Sequence, residues 1–164
     1  MIENISLETA VVTQLIRKNW HIAFAESCTG GLCAGRLINV PDASRVLDVS
    51  FVTYANEAKI QYLGVPIDLI EMHGVVSEEV AGAMAKGVAK AAGCEVGVAT
   101  SGIAGPSGAV PGKPVGTVCF GFYVNGSTHT ATCHFDGMER NDVRAAAVEY
   151  VFETLAKGSG TFAL

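Results

Sequence analysis

Residues 21–36, His21-Ile22-Ala23-Phe24-Ala25-Glu26-Ser27-Cys28-Thr29-Gly30-Gly31-Leu32-Cys33-Ala34-Gly35-Arg36, decide how this chain is read. An apolar run over 21–25 breaks into small polar residues, then resumes at Leu32 with helix-compatible spacing through Ile38. The pattern predicts a strand, a tight turn and a helix. The first N–H groups of such a helix lack intrahelical partners and carry the positive end of its dipole. They are expected to point at whatever sits over Ser27–Gly31, as at an anion site. Ser27 places a hydroxyl beside those donors, and Gly30-Gly31 removes Cβ atoms from the approach. A nucleophile and an oxyanion site could share this turn. The same residues also suit an ordinary helix cap, with Ser27 or Thr29 accepting an N–H bond.

Outward from this centre, the totals bound the rest. A chain of 164 residues is read as one domain over 1–164, long enough for a large core without disulfides or metal. Charged residues are only 16%, which predicts apolar surface shared between copies, hence a homo-oligomer, a dimer or higher. Eleven Lys and Arg against sixteen Asp and Glu give a net charge of -5, with no basic cluster for a nucleic acid to grip. Five cysteines form no CxxC pair, so neither a disulfide framework nor a zinc knuckle is indicated. Residues 1–20 lack the basic-then-apolar order of a signal peptide, and no stretch approaches a membrane span. A cytoplasmic protein without membrane contact is expected.

Along the chain, residues 7–19 read as an amphipathic helix behind a Ser6 cap. Asp48–Tyr54 is β-branched and aromatic enough for a second strand. Asn56 is expected to cap a helix over 57–63 that sets Lys59 in its first turn, near the carboxyl end of that strand. A short helix over 67–73 and a long one from Ser77 to Ala92 lead to a third strand, Glu95–Ser101. A Gly/Pro-rich loop over 102–114 follows. Asn125-Gly126 joins two antiparallel strands, 115–124 and 127–135, the last an edge. A closing helix runs over 141–157 with Gly158 as its stop, and the SGTFAL end has too little pattern to place. The order of elements predicts a three-layer α/β/α domain with a mixed sheet.

Familiar chemistries are excluded by spacing. There is no GxSxG elbow at Ser27, no HExxH among His21, His73, His129 and His134, and Lys113 is followed by Pro114 where a Walker A motif needs Ser or Thr. In a parallel α/β sheet the carboxyl ends of the strands share one rim. Ser27, Tyr54, Lys59 and the Thr100-Ser101-Gly102 junction are therefore expected to converge. A serine with a lysine base needs the lysine neutral, and at the reference pKa only about one molecule in 2,500 is neutral at pH 7. A semi-buried position near the positive helix end would depress that pKa by desolvation and like-charge repulsion. Taken alone, a single lysine such as Lys59 is more often a solvated helix-surface lysine.

AESCTGG, VTYANEAKIQYLGV, HGVVSEEV, TSGIAGPSG and KPVGTV, in this order over about residues 7–157, resemble one family. It is that of the C-terminal domain of the competence/damage-inducible protein CinA and its stand-alone form, the nicotinamide mononucleotide deamidase. The resemblance implies a five-stranded mixed sheet of order 2-1-3-4-5 with strand four antiparallel. It implies a serine amidohydrolase converting nicotinamide mononucleotide to nicotinate mononucleotide and ammonia, with no metal and no organic cofactor. By motif, Ser27 resembles the nucleophile, Lys59 its base and Tyr54 a supporting hydroxyl. Backbone N–H groups of Cys28, Thr29, Gly30 and Gly31 would hold the oxyanion. Ser101, Gly102, Ile103, Ala104 and Gly105, with an arginine, would hold the ribose phosphate. That arginine is Arg140 or Arg144, because the Phe135–Arg140 segment carries one residue more than the family pattern. A silent nucleotide-binding member of the same family is the alternative.

Overall fold

In the computed structural model, which describes residues 5–157 and 163–164, the central stretch folds as strand β1 (Ile22–Glu26), a turn and helix α2 (Leu32–Leu37). Helix α1 (Leu7–Lys18) precedes it, with Ser6 Oγ accepting the Thr9 N–H at 3.3 Å as the expected cap. Strand β2 (Phe51–Val52), helices α3 (Asn56–Leu63), α4 (Ile67–His73) and α5 (Glu78–Ala92), and strand β3 (Val96–Gly102) follow. The hairpin β4 (Thr117–Val124) and β5 (Ser127–His134) leads into helix α6 (Arg140–Lys157). Gly158 and most of the terminal segment lie outside the described residues.

The sheet order is β2-β1-β3-β4-β5. Strand β1 pairs in parallel with β2 and β3, while β3–β4 and β4–β5 are antiparallel, as expected. Asn125 and Gly126 both take positive φ, 45° and 100°, the requirement of a two-residue hairpin turn that follows the strand twist.

Alternation along the strands builds two unlike faces. Ile22, Phe24, Val98, Val118, Phe120 and Phe122 point to the layer of α1, α2 and α6. Ala23, Ala25 and Ala99 point to the layer of α3, α4 and α5. The second face is small because α5 lies almost on the backbone. A Cβ at Gly97 or Gly121 would run into the carbonyls of Ala85 or Ala81, and one at Gly87 into that of Leu63. Large residues thus fill one layer while bare backbone admits a helix in the other.

Two expectations need correction. The second strand was expected over 48–54, but only Phe51 and Val52 join the ladder. Side chains take over its ends: Ser50 Oγ accepts the Phe24 N–H at 2.9 Å, and Asp48 Oδ2 lies 2.7 Å from His21 Nδ1. Asn56 is also not a cap. It is the first residue of α3, behind Ala55, whose side chain makes no capping bond. Among the described residues, no helix is long and apolar enough to cross a membrane.

The contact between α5 and β3 yields a paired test. Gly97→Ala should lower the unfolding free energy by about 1–3 kcal/mol or more, as overpacking does. Gly35→Ala, with nothing within 4 Å of the new Cβ, should raise it by about 0.5–1 kcal/mol through helix propensity. Urea unfolding of the two variants decides both.

Candidate active site

Ser27 is the first residue beyond β1, and its N–H donates to the Thr100 carbonyl at 3.1 Å, fixing it over the β1–β3 junction. The turn after it is governed by Glu26, whose side chain is 1% exposed. Glu26 Oε1 accepts from Thr29 Oγ1 at 2.6 Å and from the Cys33 N–H at 2.9 Å, and Oε2 accepts from the Ala34 N–H at 3.1 Å. With its proton given to Glu26, Thr29 Oγ1 can accept from Thr100 Oγ1 at 2.8 Å.

A buried carboxylate therefore meets the α2 N-terminus from inside the protein. This overturns the expectation that those N–H groups face a ligand, and also the reading of Ser27 or Thr29 as an ordinary cap. The cap position belongs to Gly31, at φ 101° and without a side-chain bond. The oxyanion donors narrow as well. The Gly30 N–H donates to the Ser27 carbonyl at 3.1 Å, and Thr29 is wholly buried. Of these four residues, Cys28 alone lines the cavity, beside Ser27.

Lys59 comes from the first turn of α3 and folds back over the end of β2, leaving it 1% exposed. Its Nζ stands 3.2 Å from Ser27 Oγ, 2.7 Å from the Thr53 carbonyl oxygen and 3.3 Å from that of Tyr54. The reading of a solvated surface lysine is overturned. Burial holds the ammonium below the ordinary lysine pKa, against smaller opposing effects of Cys28 and Glu57. The like-charge contribution expected from the α2 dipole is not needed, because Glu26 answers that helix end. Burial acts in the opposite sense on Cys28, whose thiol is pushed up to about 11.

These groups open onto a cavity of about 430 Å³ at the carboxyl ends of β1 and β3, where the sheet order reverses. Its wall contains Ser27, Cys28, Tyr54, Lys59, Arg140 and the segment 101–105. Thr29, Gly30, Gly31 and Arg144 lie off it. Arg144 braces the turn instead: Nε donates to the Cys28 carbonyl at 2.9 Å and Nη2 to that of Thr29 at 3.4 Å. Arg140, at the start of α6, one residue earlier than expected, donates to the Gly105 carbonyl at 2.7 Å and to Tyr54 Oη at 3.1 Å. The structure thus separates the two arginines that the sequence left as alternatives. The Tyr54 hydroxyl is engaged by Arg140 and not by the Ser27–Lys59 pair, which it touches through its carbonyl. Ser101 Oγ donates to the Val75 carbonyl at 2.6 Å and draws the 74–76 loop into the wall.

A family model described as the CinA C-terminal domain matches residues 4–158. The chain belongs to this family. A CinA-like protein of Kosmotoga olearia is 44% identical over 148 residues, covering 90% of this chain. A relative from Alkaliphilus oremlandii is 44% identical over 155 residues, covering 94% of it. The chain spans little more than a third of these curated relatives, 36% and 37% of their lengths. Among solved structures, the competence damage-inducible protein A of Klebsiella pneumoniae superposes with a TM-score of 0.89 at 36% identity, covering 93% of this chain and 94% of that one. The CinA fold of five mixed strands between helices is therefore the fold of this chain.

Sequence reasoning passed over some residues of this CinA-family site. Glu26 carried a signal: an acid ending an apolar strand seven residues before Cys33, within reach of a helix start. Asn56, at the start of α3, also lines the cavity, as do Val75, Val76 and Lys113, brought there by loops whose paths no local pattern encodes.

Glu26→Ala would strip the Cys33 and Ala34 N–H groups of their acceptor, while Thr29 Oγ1 keeps Thr100 Oγ1 at 2.8 Å. We expect a loss of about 2 kcal/mol or more, since each stranded group costs of order 1–3 kcal/mol. Urea unfolding at pH 7 measures it, and a loss below 1 kcal/mol (roughly one cap) would remove Glu26 from this role.

Proposed function

We propose that this CinA-family chain is an amidohydrolase that converts nicotinamide mononucleotide to nicotinate mononucleotide and ammonia through an acyl-enzyme on Ser27. The observation that carries the reading is the set of partners around Lys59 Nζ. A neutral amine has two N–H donors and one lone pair. The carbonyls of Thr53 and Tyr54 can take the two donors, which leaves the lone pair for the Ser27 hydroxyl proton. Burial supports that neutral state by lowering the pKa. The choice of carboxamide rests on the family resemblance, and the cavity volume suits a mononucleotide.

In the proposed reaction, Ser27 Oγ attacks the carboxamide carbon while its proton passes to Lys59 Nζ. The carbonyl oxygen becomes an oxyanion beside the Cys28 N–H. As the intermediate collapses, the C–N bond breaks, Lys59 returns the proton to the departing nitrogen and ammonia leaves. Water then attacks the ester carbon, Lys59 takes one water proton and passes it to Ser27 Oγ as the C–O bond to serine breaks, and the carboxylic acid so formed releases its remaining proton to solvent.

Ammonia and nicotinate mononucleotide are the readouts. Ser27→Ala and Lys59→Met should each lose at least about a hundredfold in turnover, the lower end of what general acid–base catalysis supplies. Because only neutral Lys59 accepts a proton and its pKa is lowered, acylation should rise with pH and level off below the ordinary lysine pKa. Lys59→Arg should abolish that limb, since guanidinium stays protonated, while single replacements of His21, His73, His129 and His134 should keep it. A limb lost with one histidine and kept in Lys59→Arg would move the base elsewhere. Nucleotide binding without ammonia release would make the chain the silent binding member.

A further inference from the structure

Lys113 stands in the cavity wall, and the chemistry above makes no use of it. Its backbone is fixed: Val110 and Lys113 exchange both backbone hydrogen bonds, at 3.1 and 2.9 Å, folding the tip of the 102–114 loop onto itself. Its side chain crosses to the end of α4, where Nζ donates to the His73 carbonyl at 2.7 Å. Gly74 makes room for it. A Cβ there would stand 3.2 Å from Nζ, and the residue takes φ +76°. An ammonium group carries three donors, and among the described residues His73 is the one acceptor that Lys113 Nζ meets.

Charge around the cavity is one-sided. With Lys59 taken as the neutral amine, Lys113 and Arg140 are the charged side chains that line it, and no Asp or Glu does. Lys59 is turned to Ser27 and two carbonyls. The acids nearest the outer side of Lys113 have other partners: Glu78 accepts from Thr130 and Thr132, and Glu79 pairs with His73 at 3.5 Å. A concave wall lined by one sign of charge concentrates ligands of the opposite sign.

We infer that Lys113 is an anion-binding residue of this cavity, acting with Arg140 to select phosphorylated over unphosphorylated ligands. The inference rests on the nucleotide substrate proposed above. Its competitor is a purely mechanical role, in which the Lys113–His73 bond straps the 102–114 loop to α4. A strap would weaken every ligand alike, whereas an anion contact weakens only the ligand that carries phosphate.

Calorimetric titration of the full chain carrying Ser27→Ala in every arm, so that no ligand is hydrolysed, with nicotinamide mononucleotide and with nicotinamide riboside separates the two. The quantity read is the ratio of the two dissociation constants, riboside over mononucleotide. Lys113→Met should lower this ratio by about tenfold, the scale of one charge-assisted hydrogen bond, while Lys113→Arg keeps it within about threefold. Circular dichroism confirms that each variant is folded. An unchanged ratio in Lys113→Met overturns the inference and leaves Lys113 as a strap. The titration needs no turnover, so phosphate selection by the Ser27→Ala chain beside a wild type that releases no ammonia would refute the hydrolase and keep this inference. A Ser27→Ala chain that binds the two ligands equally would refute the inference alone, even if the wild type releases ammonia.

Discussion

One buried carboxylate ties the centre of this molecule together. Glu26 ends the innermost parallel strand, and its two oxygens hold the Thr29 hydroxyl and the first N–H groups of α2. A carboxylate at a helix N-terminus is favourable, and its hydrogen bonds offset the cost of leaving water. The consequence is geometric. With both ends of the 27–31 turn fixed to one side chain, Ser27 has little freedom over the β1–β3 junction, and Arg144 closes the turn from α6 through the Cys28 and Thr29 carbonyls. The helix dipole, which in many α/β folds serves a ligand, is used here by the protein itself.

Lys59 is the second constraint, and it explains an irregularity of the sheet. Strand β2 ends at Val52: the Thr53 N–H still donates to the Glu26 carbonyl at 2.9 Å, but the carbonyls of Thr53 and Tyr54 turn toward Nζ. An amine removed from water requires acceptors for its N–H groups, and here the backbone supplies two. Edge strands gain least from ladder hydrogen bonds, so this edge is where such an exchange costs least. The α5 face adds to the enclosure. Gly97, Gly121 and Ala99 let α5 lie close to the sheet, and α3, which carries Lys59, packs on α5 at Gly87.

Much of this was legible in the residues. Alternation in 21–25, the Asn125-Gly126 turn and the Ser6 and Ser77 caps are local codes, and each element they predict is present. Convergence of Ser27 and Lys59 followed from strand order, because parallel neighbours bring their carboxyl ends to one rim. What could not be read was set by tertiary partners. The second strand looked seven residues long by composition, and composition does not register that Ser50 and Lys59 divert its polar groups. Arg140 and Arg144 lie one helical turn apart, so periodicity places both near the site. Only the path of 135–140 decides that one enters the cavity while the other grips the turn behind it.

In the proposed reaction, the neighbouring residues Ser27 and Cys28 are two nucleophiles on which burial bears differently. A thiol is intrinsically the better one, but it acts as thiolate, and burial pushes Cys28 up to about 11. That shift favours the protonated thiol, a small buried group beside Ser27. A serine hydroxyl is more weakly acidic still, and it gains reactivity only from a base placed on its proton. The same loss of water that silences Cys28 lowers the pKa of Lys59, 3.2 Å from Ser27 Oγ. Desolvation therefore acts with opposite sign on the two groups, because it penalises charge: it withholds the thiolate and favours the neutral amine. One physical property, the burial of both groups at the β1–β3 rim, thus favours the oxygen over the sulfur in the proposed reaction.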